Sequence, residues 1–215
     1  MNPLFLKKRK ANLLITITCI LFFYNFQTIK NIVKDPFITL CENSDAYYTY
    51  SYTDVTYEPT WGQFKRHISI TNKLVVNTTK GVDNYAFLNL DKHESNNIKE
   101  IKIRTLKADG SIVELDSSLV FKRSSKNKKF EAISYPIPAV EPGDTIETSY
   151  VYSENLRKSS LMSYANFYTS LPSKNSQYTI KTKPSLFIRY KPYNGFPEPE
   201  IVTNDSLIYL KIIVE

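Results

Sequence analysis

The sequence predicts an all-β fold, an antiparallel β-sandwich preceded by an N-terminal apolar signal or anchor helix. Three observations carry this reading. Runs of Tyr, Thr, Val and Ile alternating with polar residues recur at short intervals, with at most brief helical stretches between them. Aromatic content reaches 13 %, with 16 Tyr and 12 Phe, which suits half-buried pleated surfaces and argues against disorder. Two segments flank strong turn signals: Ile98–Leu115 around Ala108-Asp109-Gly110-Ser111, and Pro136–Ser153 after Pro138, Pro142 and Gly143.

The N-terminus reads as a targeting segment. Lys7-Lys8-Arg9-Lys10 precedes Leu13–Phe23, an uncharged and mostly apolar run of 11 residues. That length suits the core of a signal peptide, and an extension to Phe26 makes a short anchor or a buried helix the alternatives. Either membrane reading keeps the basic end in the cytoplasm and sends the remainder to the periplasm or cell envelope. Residues 1–26 are thus a signal peptide or membrane anchor, 27–44 a linker, and 45–215 the β-sandwich domain. The linker has room for a short helix at Ile29–Lys34, stopped near Pro36.

Strands follow in order. Ala46–Tyr57 alternates so that Tyr48, Tyr50 and Tyr52 fall on one face, with Tyr47, Thr49, Ser51 and Thr53 on the other. The ladder is read as a core-packing face, with an exposed aromatic platform as the sharper alternative. Glu58–Gly62 is a turn that puts Trp61 at a loop tip. Gln63–Val76 is the return strand, with Phe64, Ile68 and Ile70 on one face and His67 on the other. Tyr85–Leu88 is a shorter strand. Ile98–Leu106 and Ile112–Leu115 form a hairpin across Asp109-Gly110. Lys122–Lys129 is a solvated loop or hairpin tip, with a contact to phosphate or an acidic surface as the alternative. Thr145–Ser153, Tyr178–Lys183, Phe187–Tyr190 and Leu207–Val214 complete the strands, with Met162–Leu171 open between strand and helical turn.

The charge pattern bears on partners. Of the net +7, residues 1–44 supply +4, which leaves +3 across the other 171 residues. That near balance gives little support to nucleic-acid binding. Cysteine chemistry is also thin. Cys19 lies inside the apolar run, so Cys41 is the only thiol beyond it and has no intramolecular disulfide partner once a signal is removed.

Four segments bear a family resemblance. Ala46–Ile70, Ile101–Asp116 (IKIRTLKADGSIVELD), Val140–Val151 (VEPGDTIETSYV) and Phe167–Pro184 follow the order found in the bacterial domain of unknown function 3857. The chain resembles that family over roughly 170 residues, and the middle two segments together are the specific part. Asn175 departs from it, standing near a position where the family is expected to carry Arg. The resemblance implies a β-sandwich accessory domain, often placed before a transglutaminase-like domain in exported envelope proteins. No such domain follows Glu215, so the chain reads as a short or truncated variant.

Thiol acyl transfer needs a cysteine, a histidine base and an orienting group, and the predicted domain lacks the cysteine. His67 and His93 are read as sheet or surface histidines. Asp109 is assigned to turn chemistry and Asp144 to the turn after Gly143. Glu141/Asp144 and Asp109/Glu114 are carboxylate pairs without a marker for glycosidase chemistry. Asn77-Thr78-Thr79 and Asn204-Asp205-Ser206 match the glycosylation triplet. No catalytic residue, cofactor or metal site is expected. The expected function is non-enzymatic binding or scaffolding of an envelope protein, peptide or polysaccharide, with Tyr48, Tyr50, Tyr52 and Trp61 as the candidate interaction surface. Leu13–Phe26 would contact the membrane if it is retained. The alternative is the N-terminal half of a transglutaminase-like envelope protein.

Overall fold

The computed structural model describes residues 35–116, 121–124, 131–156, 170–186, 188–204 and 207–214. The chain divides into two compact units, Met1–Thr39 and Leu40–Glu215. The described part of the first is the opening of helix α1 (Pro36–Asn43). Asp35 caps it, its Oδ1 accepting from Phe37 N at 2.9 Å, and Pro36 takes the first helical position. The linker therefore ends in a helix that Pro36 starts, where the sequence reading had Pro36 stop one. Residues 27–34 and the expected apolar helix lie outside the described residues. No helix among those described is long and apolar enough to cross a membrane.

The second unit is mostly β. Its strands are β1 (Ala46–Thr60), β2 (Gln63–Val76), β3 (Phe87–Leu90), β4 (Ile98–Leu106), β5 (Ile112–Glu114), β6 (Phe121–Ser124), β7 (Glu131–Pro136), β8 (Thr145–Leu156), β9 (Ser176–Thr182), β10 (Glu200–Thr203) and β11 (Ile208–Val214). Eight of them form a sheet of order β10-β11-β9-β1-β2-β8-β4-β5, and β3-β7-β6 form a second. The pairing is antiparallel except that β9 runs parallel to β1, Ser51 opposite Ser176 through Tyr57 opposite Thr182. An entirely antiparallel arrangement was expected. The chain instead returns to β1 after a long excursion, and the direction of arrival is a tertiary matter.

β1 and β2 form a long hairpin closed by Trp61-Gly62, with Gly62 at φ 75°. Pro59 extends β1 beyond the reach of β9, where its missing N–H breaks no ladder. Lys122–Ser124, expected in a loop, falls within β6; 125–130 and most of Met162–Leu171 lie outside the described residues. Of the expected strand Phe187–Tyr190, residues 188–190 form no strand. Two helices replace expected loop or strand. In α2 (Thr79–Tyr85), Thr78 caps Gly81 N at 3.1 Å. α3 (Lys92–Asn97) opens on a capping box in which Asp91 and Glu94 exchange backbone hydrogen bonds.

The core lies between the sheets, in a sandwich-like arrangement. Leu90, Tyr135 and Ile137 from the small-sheet side meet Ala46, Leu74, Val76, Ile103, Ile146 and Tyr150 of the large sheet. A second cluster, Val55, Tyr57 and Ile68 with Ile180, Tyr178 and Leu186 against it, continues along the same face. Each such aliphatic side chain, fully buried, contributes ~1.5–3 kcal/mol. The opposite face of the large sheet carries the alternate residues of every strand, which are mainly polar.

Candidate functional site

The tyrosine ladder is divided by a β-bulge. Tyr48 pairs with Leu74 and Tyr50 with Lys73, so Thr49 is the extra residue. A one-residue slip exchanges the two faces of a strand. Tyr48 therefore packs against the core cluster, and burial raises its hydroxyl pKa above the ordinary value. Tyr50 and Tyr52 face the other way, on the open face. Their rings stack on each other with centroids 4.9 Å apart and planes 23° from parallel. Tyr47, before the bulge, joins them on that face, with the Lys174 ammonium 5.3 Å from its ring centroid. The sequence reading placed Tyr48, Tyr50 and Tyr52 together; the bulge replaces Tyr48 with Tyr47.

Trp61 sits at the hairpin tip, 102 % exposed and remote from the stacked pair along β1. Asn175 Nδ2 donates to the Tyr52 hydroxyl at 3.0 Å, and Asn175 backbone O accepts from Ser51 N at 2.9 Å. Asn175 thus fixes the ladder from the neighbouring segment.

The charges beside the tyrosines are paired across strands. Glu147 on β8 binds Lys73 of β2 at 3.1 Å and Arg104 of β4 at 2.6 Å. Burial pushes Glu147 upward, but the hydrogen bonds from Lys73 and Arg104 outweigh it and hold the carboxyl below its ordinary pKa. Lys102 reaches Glu114 at 3.4 Å and Lys181 reaches Asp54 at 3.7 Å. Thr71 and Ser149 hydroxyls lie 3.4 Å apart at the centre.

His67 lies further along the same face. Its Nδ1 is 2.8 Å from Ser153 Oγ and its Nε2 is 3.3 Å from Glu58 Oε2. The three residue types are those of a serine-hydrolase relay, but Ser153 is 7 % exposed and lies within a regular strand. A serine so placed, flat in a ladder and screened from solvent, is poorly set to attack a substrate. The His93 side chain lies outside the described residues. Cys41, in α1, is buried and 1 % exposed, a poor setting for a reactive thiolate. No group of three or more His, Cys, Asp and Glu among the described residues is placed to hold a metal.

The carboxylates singled out from the sequence resolve into structure. Asp109 Oδ1 accepts from Ser111 N at 2.8 Å, an Asx turn. Asp144 does more than close its own turn. Its carboxylate accepts from Glu141 N at 2.8 Å and from Ala108 N at 3.3 Å, and it binds Lys107 Nζ at 2.7 Å. Lys107 also reaches Glu141 at 2.6 Å and Ala139 O at 2.9 Å. The hydrogen bonds to Asp144 and Glu141 raise its pKa. Asn77 spends its side-chain amide on Cys41 O and Ser44 O at 2.8 and 2.9 Å. Asn204 closes a turn by accepting from Leu207 N at 2.7 Å.

The Lys107–Asp144 tie joins two segments that a family comparison also joins. Residues 68–209 match the family model described as Domain of Unknown Function with solved-structure structure (DUF3857). The chain belongs to the DUF3857 family. Both Ile101–Asp116 and Val140–Val151 lie inside the match. The match begins within β2, so β1 and its tyrosines precede the matched residues. No curated protein matches the chain. Among solved structures it is similar to the crystal structure of a "putative protease" from Parabacteroides distasonis ATCC 8503, with a TM-score of 0.59 and 12 % identity. The alignment covers 80 % of this chain and 35 % of that one, so the chain spans about a third of that protein's length. At this identity the likeness is one of fold.

Proposed function

We propose that this DUF3857 protein is a non-enzymatic binding or scaffolding domain of the exported cell envelope, an elaborated β-sandwich delivered across the membrane by residues 1–26. One observation carries the reading. The large sheet has one face covered by the small sheet and the core, and a second, polar and aromatic, that no described element covers. A broad preformed face of this kind suits recognition. The partner class is an envelope protein, peptide or polysaccharide. The test is capture from the envelope fraction by the immobilised full-length protein, beside a Ser69→Arg variant that places a long cation mid-face. Capture of a defined component by the first and its loss in the second supports the reading. Identical capture by both, or none by either, removes it.

A second reading has its own support. The fold occupies about a third of a longer protein whose name includes the word protease, so this domain would be the accessory part of a transglutaminase-like or related hydrolase. Reading the transcript past the codon for Glu215 tests it. A downstream Cys, His and Asp domain in or near frame supports it, and unrelated sequence overturns it.

A further inference from the structure

The open face along β1, β2 and β8 has a composition that narrows the ligand, given the binding role proposed above, on which this inference rests. Most of its charges are paired with one another. Lys73 and Arg104 close on Glu147, and Lys181 closes on Asp54. An ionic partner would have to break these pairs. The face is also poor in aliphatic anchors. By the strand register, Val75 and Val151 are its only aliphatic side chains on these three strands, and neither forms the pocket that a protein hot spot needs.

What remains is hydroxyls and phenols in register. Thr56, Ser69, Thr71 and Ser149 supply short donors and acceptors across adjacent strands, in rows about 4.8 Å apart. Tyr50 and Tyr52 form a rigid ridge because each ring packs on the other. The Tyr52 hydroxyl accepts from Asn175 Nδ2 at 3.0 Å, which leaves its own O–H as a donor. Amphipathic rings beside fixed hydroxyls match a ligand with apolar C–H patches and many hydroxyls. We propose that this face binds a neutral polysaccharide chain, with Tyr50 and Tyr52 as its principal contacts.

Affinity electrophoresis of the full-length protein tests this in gels cast with laminarin, galactomannan or amylose, and with polygalacturonate as the anionic control. Retardation is expected in at least one neutral gel, unchanged by added salt. Tyr50→Ala/Tyr52→Ala should weaken it about tenfold or more, and Ser69→Arg should abolish it without touching the tyrosines. Unretarded migration in all three neutral gels overturns the proposal. So does retardation confined to polygalacturonate and removed by salt, or retardation that persists in both variants. If the glycans fail while envelope capture still depends on Ser69, the polysaccharide is wrong and the binding role stands. If both fail, the binding role goes as well.

Discussion

Lys107 is held by three oxygens at once, and that placement makes Asp144 a structural residue rather than half of an acid–base pair. Asp144 is 2 % exposed, so its charge is tolerated only because Lys107 and two backbone N–H groups meet it. Asp144→Asn keeps the shape but removes the charge and is expected to cost about 1–3 kcal/mol. A fall in the urea midpoint at unchanged slope would record it. Gly81 is constrained from another direction. A Cβ there would meet the Asp45 carbonyl oxygen at 2.3 Å, and a backbone atom cannot rotate away. Gly81→Ala should therefore destabilise by about 2 kcal/mol or more, despite the better helix propensity of alanine, and thermal melting reads this directly.

At the level of the element, the bulge at Thr49 decides which tyrosines face the core. Deleting Thr49 would restore strict alternation and force either Ala46 and Tyr48 or Val55 and Tyr57 out of the core. The expected loss is several kcal/mol, of the size that accompanies emptied core positions, with collapse of the near-ultraviolet tyrosine dichroism as the second readout. Helix α3 rests on its capping box, so Asp91→Ala should cost ~1 kcal/mol. Elements differed in how readable they were. Gln63–Val76 was legible to the residue because its alternation is regular and a turn precedes it. Asp91-x-x-Glu94 carried a helix-start signal that the strand reading passed over. Thr49 carried none, since a bulge without glycine or proline leaves no mark in the sequence and arises from how two strands fit.

The whole molecule stores its alkaline pH dependence in the buried face of the large sheet. Burial, with the Glu94 carboxylate as a smaller cause, pushes Tyr152 up to about 12, and burial with Tyr57 does the same to Tyr178. Their neutral forms are favoured on folding. That stability is fully present below the ordinary tyrosine value of 10.0 and is lost as pH rises from there toward 12. A spectrophotometric titration should show surface phenols ionising first and the buried group only with unfolding; one smooth titration near the ordinary value would contradict the burial. Glu147 acts at the acid end. Its lowered pKa gives stability that is present above the ordinary 4.5 and lost as pH falls through the folded value. Glu147→Gln should flatten that acid limb in pH-dependent melting.

The sequence by itself determined the β class, the Asp109-Gly110 hairpin, the long β1–β2 pair and the family, because side-chain period and turn chemistry are local properties. The tertiary structure decided the rest. It set β9 parallel beside β1, brought Lys107 to Asp144, and turned Tyr48 inward while Tyr47, Tyr50 and Tyr52 faced outward. These outcomes depend on contacts between distant segments. A strand's alternation states only that two faces exist, and its neighbours choose which one is buried.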